Sequence, residues 1–152
     1  MLNEDYREML QELSAGKVKY LLVGAYAMAV HGYPRATVDL DIWVSPSPEN
    51  AEAVLGALAR FGAPVGELTP EDFQAEGTVF QIGVAPRRID IITSATGLQF
   101  DEAFSRSTIV DVGGLDAPVL SVGDLIRNKR ATGRTKDLAD AETLEALLHE
   151  SK

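Results

Sequence analysis

The sequence predicts an α/β (α+β) fold, with a mixed β-sheet flanked by helices and a C-terminal helical segment. Three observations support this prediction. A buried strand leads through a glycine into a short helix, two later strands are joined by a tight turn, and the end of the chain has helical periodicity. At 152 residues the chain is large enough to bury a core, and we expect a single domain over residues 1–152.

Composition narrows the functional classes. The chain has no cysteine, which excludes a disulfide framework, a thiolate zinc site and a cysteine nucleophile. No apolar run approaches the roughly 20 residues of a membrane span. The N-terminal segment MLNEDYREML is acidic and amphipathic, unlike a secretory signal. We therefore expect a cytoplasmic protein without membrane contact.

The charge balance is acidic, but the basic residues are unevenly distributed. With 23 acidic and 14 basic residues the formal charge is −9, which argues against broad binding to a nucleic-acid backbone. Two of three short basic segments adjoin aspartates in strand-like sequence, which leaves room for a local anion site. The three segments contain eight of the fourteen basic residues: Arg35, Arg87, Arg88, Arg127, Lys129, Arg130, Arg134 and Lys136.

The first elements alternate between helix and strand. Apolar residues at spacings of three and four predict an opening helix that ends at Gly16. Residues 19–24, KYLLVG, predict a short buried strand, and residues 25–32, AYAMAVHG, predict a small-residue helix. Residues 37–44, TVDLDIWV, predict the next strand. The apolar face of the opening helix consists of Tyr6, Met9, Leu10 and Leu13.

The middle of the chain predicts two helices and a hairpin. Residues 47–48, Ser-Pro, are typical of a helix start, and Gly62 ends that helix. A similar start at residues 69–72 predicts a short helix. Residues 78–84 and 87–93 predict two strands joined by a tight turn at an Ala-Pro pair, as in a β-hairpin.

The last part of the chain predicts a second hairpin and two helices. Residues 107–112 and 117–121 would form the smaller hairpin around a Gly-Gly pair. Residues 121–133 and 135–150 have helical patterns. The final helix carries four apolar residues on one side: Leu138, Ala141, Leu144 and Leu148.

Two aspartates stand one residue apart in the strand predicted at residues 37–44. Because side chains alternate along a strand, Asp39, Asp41 and Trp43 share one face. Two unit charges about 4 Å apart repel by roughly 1 kcal/mol in water and about 4 kcal/mol near a protein surface. A divalent cation such as Mg²⁺, which prefers carboxylate oxygens, would compensate this repulsion.

A third carboxylate, Asp90, alternates in the same way in the later strand. If the two strands are neighbours, three aspartates converge on one face, as needed to hold two metal ions around a phosphate. The alternative is that each aspartate faces water on a half-exposed sheet. Three carboxylates on two strands, preceded by the strand-glycine-helix unit, favour the metal site. Gly24, between a strand and a helix, would let backbone N–H groups approach an anion, and its alternative is a simple tight turn. The glycine patterns of P-loop, Rossmann and EF-hand sites do not occur in this sequence.

Three segments taken together resemble the nucleotidyltransferase superfamily with the DNA polymerase β-like palm. They are LLVGAYAMAVHGYPRATVDLDIWV, RRIDII and DLIRNKRATGRTKDLADAE, in the order of the family. The resemblance covers roughly residues 18–145. The chain is similar in particular to a small bacterial branch related to toxins of abortive-infection type IV toxin-antitoxin systems. The resemblance implies a nucleotidyltransferase-type sheet, with a palm-like core at about 18–95 and a C-terminal hairpin and helices at about 100–150.

The resemblance also implies an activity and its site. Gly24 would border the triphosphate, Asp39 and Asp41 would bind the metal ions, and Asp90 would complete the metal site and help to position the attacking hydroxyl. The cofactor would be two Mg²⁺ ions, with Mn²⁺ as a substitute. The reaction would move a nucleoside monophosphate from an NTP to a hydroxyl on RNA, a protein or a small molecule, and release pyrophosphate.

Further positions of the nucleotide site follow from the same resemblance. Ala25 comes after the turn glycine, where family members usually carry serine or glycine. Arg35 would contact phosphate or brace a metal-binding aspartate, and its alternative is a surface arginine. Thr37 and His31 match the small bacterial branch, but we expect both to be structural.

The C-terminal basic cluster matches active-site motifs of the related toxins. The matching residues are Lys129, Arg134, Lys136 and Asp137. Cations there could neutralise the triphosphate or the leaving pyrophosphate. The alternative is a solvated turn between two helices, with Asp137 close to a helix N-terminus. For Asp140 the functional and the structural interpretation are balanced.

The leading hypothesis is a Mg²⁺-dependent nucleotidyltransferase that binds an NTP and a hydroxyl acceptor, and that has an antitoxin or regulator as partner if it belongs to a toxin-antitoxin pair. The alternative is a catalytically silent nucleotide-binding or regulatory module of the same fold. Ala25 and the small size of the chain motivate that alternative. The sequence leaves the acceptor, the preferred base and the oligomeric state open.

Overall fold

The computed structural model describes residues 3–33 and 39–150. Within these residues the α-helices are α1 (Glu4–Ala15), α2 (Gly24–Val30), α3 (Pro48–Phe61), α4 (Phe100–Ser105), α5 (Val122–Thr132) and α6 (Thr135–Glu150). The strands are β1 (Tyr20–Val23), β2 (Leu40–Val44), β3 (Val79–Ile82), β4 (Ile89–Ile92), β5 (Thr108–Val112) and β6 (Leu115–Val119). A 3₁₀ turn, Pro70–Phe73, follows α3.

The strands form one mixed sheet in the order β3-β4-β2-β1-β6-β5. The hairpins β3-β4 and β5-β6 are antiparallel, as predicted, and β1 pairs antiparallel with β2. Parallel pairing joins β2 to β4 and β1 to β6. The predicted fold class, a mixed sheet flanked by helices with a C-terminal helical segment, is confirmed.

Capping residues fix the ends of the longer helices. The side chain of Asn3 accepts a hydrogen bond from the Tyr6 backbone N–H at 2.9 Å at the start of α1. Ser47 does the same for the Asn50 N–H at the start of α3. Gly62 adopts a left-handed conformation, with φ of 98°, just after α3. The helix bounds predicted around these caps are therefore close to the observed ones.

The core lies against the central strands β1 and β2. Leu21, Leu22, Leu40 and Ile42 are fully buried, and α1 and α3 contribute further buried residues. The α1 residues are Tyr6, Met9, Leu10 and Leu13, as predicted. Asn50 at the start of α3 is also buried, and its amide bonds the backbone of Lys19 and Ser45. This polar contact fixes α3 against β1 and β2.

Four details differ from the sequence predictions. The strand expected at 37–44 begins at Leu40, so Asp39 precedes it. The short helix after Thr69 is a 3₁₀ turn, and α4 was not predicted. Leu138 is 43% exposed, whereas Ala141 and Leu144 on the predicted apolar side are buried and Leu148 is half-buried. Arg35 and Thr37 lie outside the described residues.

Within residues 3–33 and 39–150, none of the helices combines the length and the apolar character needed to cross a membrane.

Candidate active site

The three predicted aspartates meet where β2 and β4 begin. The two strands are parallel neighbours, and Asp41 is paired directly with Asp90. Asp39, just before β2, accepts a hydrogen bond from the Arg88 backbone N–H at 3.0 Å. The Leu40 N–H in turn donates to the Arg88 carbonyl at 2.9 Å. Parallel pairing of β2 and β4 therefore brings together carboxylates that are 49 residues apart in the chain.

Gly24 lies against one of these carboxylates. It is the first residue of α2 and has a φ of 66°, a backbone conformation that is unfavourable for residues with a side chain. A Cβ atom at this position would lie 2.1 Å from Asp41 Oδ2. The strand-glycine-helix turn and the Asp41 carboxylate are thus in direct contact, and only glycine allows that approach.

The environment of Asp41 disfavours a full negative charge. Burial, which is the largest cause, acts together with the charge of Asp90, a hydrogen bond with Asp90 and the charge of Asp39 to raise the pKa of Asp41 to about 7. Arg88 acts in the opposite direction. Close to neutral pH, Asp41 therefore holds a proton in an appreciable share of the molecules.

Arg88 places a positive charge at this site. Its Nε donates to Asp90 Oδ1 at 2.7 Å and its Nη2 donates to Asp90 Oδ2 at 3.1 Å, which is a bidentate pair. Nη2 also lies 3.5 Å from Asp39 Oδ2. The hydrogen bond to Asp90 raises the pKa of Arg88. The guanidinium therefore spans two of the three aspartates.

Tyr6 of α1 borders the same site. Its hydroxyl donates toward the carbonyls of Pro86 and Arg88, at 3.4 and 3.5 Å. Burial raises the pKa of Tyr6, and the charges of Asp39 and Asp41 add to that rise. A neutral Tyr6 hydroxyl therefore holds the backbone that precedes β4.

Neither Arg88 nor Tyr6 was predicted as a site residue. The signal for Arg88 was available, because a residue two positions before Asp90 shares its face of the strand. For Tyr6 the sequence indicated only a core residue, since helical spacing says nothing about the terminal hydroxyl.

The carboxylate oxygens of the site are suitable ligands for a hard divalent cation, but they already contact Arg88 or another aspartate. Among residues 3–33 and 39–150, no three acidic or histidine side chains are arranged to hold a metal ion. Arg88 contacts Asp39 and Asp90, and Asp41 shares a hydrogen bond with Asp90. A guanidinium and a proton thus offset two of the three carboxylate charges, and a metal ion would have to compete with them.

The predicted C-terminal residues form a second cluster between α5 and α6. The Lys129 ammonium lies 3.3 Å from both Asp137 and Asp140. Thr132 and Arg134 donate to Asp137 Oδ2 at 2.6 and 2.9 Å. Hydrogen bonding from Thr132, followed by Lys129 and Arg134, lowers the pKa of Asp137 despite its burial. This carboxylate therefore stays ionised.

This cluster is tied to the N-terminal half of the chain through Tyr33. The Tyr33 hydroxyl donates to Asp140 Oδ1 at 2.8 Å, just before the segment that contains Arg35. Lys136 is exposed in the first turn of α6. No ion pair between described residues joins the cluster to Asp39, Asp41 or Asp90. The structure brings Lys129, Arg134 and Asp137 together, but it does not bring them into contact with the three aspartates.

His31, expected to be structural, bonds the Leu120 carbonyl at 2.8 Å.

A cavity of about 730 Å³ opens at the other end of the strands that carry the aspartates. Trp43 and neighbouring strand-end residues line it. Its charged residues are Lys19, Glu49, Glu76 and Asp101, three carboxylates against one ammonium. That balance disfavours a triphosphate, so the cavity is a poor nucleotide site.

The comparisons with known proteins concern the fold. No family model matches the chain, and no curated protein matches its sequence. The structure is similar to the crystal structure of a "putative nucleotidyltransferase" from Thermotoga maritima, with a TM-score of 0.59 and 19% sequence identity. The likeness covers 99% of this chain and 96% of that chain. The chain therefore has a nucleotidyltransferase-type fold, as the three motifs predicted.

Proposed function

We propose that this chain is a Mg²⁺-dependent nucleotidyltransferase. It would move a nucleoside monophosphate from an NTP to a hydroxyl on RNA, a protein or a small molecule, and release pyrophosphate. The observation that carries the proposal is the meeting of Asp39, Asp41 and Asp90 at the start of two parallel strands, beside the Gly24 turn. The nucleotidyltransferase-type fold supports it.

In this proposal the three aspartates hold two Mg²⁺ ions, and Mn²⁺ can take their place. When bound, such ions neutralise developing charge on a phosphate that undergoes in-line displacement. Asp90, which borders Asp41 in the adjacent strand, also helps to position the acceptor hydroxyl. The protein contributes position and charge, because this chemistry needs little covalent help.

The nucleotide side of the site is also a proposal. Gly24 and Ala25 at the start of α2 would face the triphosphate with their backbone N–H groups. Basic residues of the second cluster, with Arg35, would offset the phosphate charge. The residues proposed for this role are Arg35, Lys129, Arg134 and Lys136, with Asp137 orienting Lys129 and Arg134.

Transfer of label from α-labelled NTPs tests the activity. We expect metal-dependent transfer to an acceptor in the presence of Mg²⁺ or Mn²⁺, and loss of at least about a hundredfold in Asp39→Ala/Asp41→Ala, because removing one stabilising group often costs this much. A Glu8→Gln/Glu52→Gln variant, which removes two exposed acids, is the matched control. Equal transfer by the aspartate variant, or none with any of the four nucleotides, would count against the proposal.

A second candidate is a catalytically silent nucleotide-binding or regulatory module. The guanidinium across Asp39 and Asp90 favours it, because both carboxylates are already paired with a positive charge of the protein itself. Ala25, which lacks a hydroxyl for phosphate, favours it as well. Calorimetry with Mg²⁺ and each NTP distinguishes the candidates: tight nucleotide binding without turnover supports the module.

Membership of a toxin-antitoxin pair is the finer part of the proposal. The expected partner is an antitoxin or regulator encoded by a neighbouring gene. Induced expression in a bacterial host should then arrest growth with the wild-type chain and not with Asp39→Ala/Asp41→Ala. Unimpaired growth with wild-type chain that is soluble and active in vitro would exclude the toxin role and leave the transferase proposal intact.

A further inference from the structure

We propose that Arg88 determines which ions can enter the candidate metal site, because a cation must compete with its guanidinium for Asp39 and Asp90. The inference rests on the proposed function, since it concerns the same three aspartates. It assigns a role to a residue that the metal site itself does not require. Arg88 would be a positioning residue for Asp39 and Asp90 and a competitor of the metal ion.

The contacts of Arg88 are those of a cation bound by carboxylates. Two of its nitrogens bond both oxygens of Asp90, at 2.7 and 3.1 Å, and one of them is 3.5 Å from Asp39. These oxygens are the hard donors that a divalent ion would use. Because a guanidinium and a divalent ion on the same carboxylate repel each other, the two cations compete for Asp90.

The backbone of Arg88 is fixed, whereas its side chain can leave. The Arg88 N–H bonds Asp39 and the Arg88 carbonyl bonds the Leu40 N–H, which places this residue in the β2-β4 pairing. The side chain is 30% exposed. A long side chain at the edge of a site can turn its charged end into water at little cost. Displacement therefore requires rotation of one side chain and no movement of the strands.

The charge of an ion determines whether it can displace the Arg88 side chain. Arginine stays protonated at all ordinary pH values, so the guanidinium always carries one positive charge. A monovalent ion brings the same charge without the bidentate hydrogen bonds, and it gains nothing by exchange. A divalent ion brings twice the charge to three carboxylates. The site would therefore select divalent ions, and in their absence Arg88 would offset part of its negative charge.

Binding of Mn²⁺ alone, measured by calorimetry, tests the competition directly. We expect Arg88→Gln to bind Mn²⁺ at least about tenfold more tightly than the wild-type chain, because no guanidinium must be displaced. Arg87→Gln is the matched control: it removes the same charge one residue away, from an exposed side chain. Its affinity should stay within about twofold of wild type, since exposed charges are largely screened. Arg88→Lys, which keeps the charge and loses the bidentate geometry, should fall between.

Chemical modification of arginine gives a second readout without any substitution. Phenylglyoxal labels accessible guanidinium groups, and peptide mass spectrometry can distinguish Arg88 from Arg87. If Mn²⁺ displaces the side chain, labelling of Arg88 should rise several-fold on addition of Mn²⁺, while labelling of Arg87 stays constant. A merely structural Arg88 would show no such change, so this measurement remains decisive if Arg88→Gln folds poorly.

The outcomes separate this inference from the proposed function. Equal or weaker Mn²⁺ binding by Arg88→Gln, or constant labelling of Arg88 on Mn²⁺ binding, would overturn the competition and leave the metal site standing. If neither the wild-type chain nor Arg88→Gln binds Mn²⁺, the metal site fails and the inference fails with it. Tighter binding by Arg88→Gln together with metal-induced labelling supports both.

Discussion

Gly24 is the residue whose substitution tests the site geometry most directly. Its positive φ and the Asp41 carboxylate where a Cβ would lie are separate constraints: the first concerns the backbone and the second concerns space. Gly133 has a similar φ of 71°, but a Cβ added there would meet nothing within 4 Å. The two glycines therefore allow the two constraints to be separated.

We expect Gly24→Ala to destabilise the fold more than Gly133→Ala. Both variants place a side chain at positive φ, which costs about 1–3 kcal/mol. Only Gly24→Ala also pushes the Asp41 carboxylate out of its place, which should add about 1 kcal/mol or more and weaken Mn²⁺ binding. Urea unfolding and calorimetry measure the two effects. Equal costs for the two variants would show that Asp41 moves away freely.

At the residue scale, the sequence revealed which carboxylates belong together but not what neutralises them. Asp39, Asp41 and Asp90 follow from strand alternation and from the resemblance. The contact of Arg88 with Asp90 depends on the side-chain conformation of Arg88, which alternation does not specify. In the same way, no pattern indicates that the Tyr6 hydroxyl reaches the backbone before β4.

At the scale of elements, local signals predicted most helices and strands. Caps such as Ser47 and Gly62 lie within the segments that they terminate, so their effect can be read from neighbouring residues. The helix α4 was missed because it is short and its cap, Gln99, makes no side-chain hydrogen bond. Packing holds it instead: Phe100 meets Trp43 edge-on, with ring centres 5.3 Å apart. The pairing of β2 with β4 is a long-range contact and could only be assumed.

The junction of α5 and α6 depends on one ionised carboxylate. Hydrogen bonds lower the pKa of Asp137, so its ionised form stabilises the folded state. This contribution is complete above the ordinary pKa of an aspartate, about 3.9. It is lost as the pH falls through the lower pKa that Asp137 has in the folded state. The junction of the two C-terminal helices should therefore lose stability in acid.

We expect Asp137→Asn to lower the free energy of unfolding by about 1–3 kcal/mol at pH 7, because a buried charged hydrogen-bond acceptor is lost. The loss of stability between pH 5 and pH 3 should also be smaller in this variant, since one carboxyl with a lowered pKa is gone. Urea unfolding across that pH range measures both effects. Glu142→Gln, an exposed site on the same helix, is the control. If Asp137→Asn loses as much unfolding free energy between pH 5 and pH 3 as the wild-type chain, the Asp137 carboxylate does not stabilise the junction.

At the scale of the whole molecule, added ions act in two ways: they screen the net negative charge, and divalent ions can bind at the three aspartates. The formal charge of −9 means that any salt stabilises the fold somewhat by screening. The convergence of three aspartates at the start of β2 and β4 adds a local demand for positive charge, which Arg88 meets only in part. A divalent ion should therefore stabilise this chain beyond what its ionic strength explains.

We expect Mg²⁺ at about 100 times its Kd to raise the free energy of unfolding by about 2.7 kcal/mol, because it binds the folded state alone. For a chain of this length that corresponds to a rise in Tm of about 5–10 °C. Thermal unfolding in Mg²⁺ and in NaCl of equal ionic strength separates binding from screening. The Mg²⁺-specific rise should vanish in Asp39→Asn/Asp41→Asn and persist in Glu8→Gln/Glu52→Gln, whose substituted acids are exposed helix residues. If NaCl gives the same rise, or the aspartate variant keeps it, the three carboxylates do not bind the ion and the fold is stabilised by screening alone.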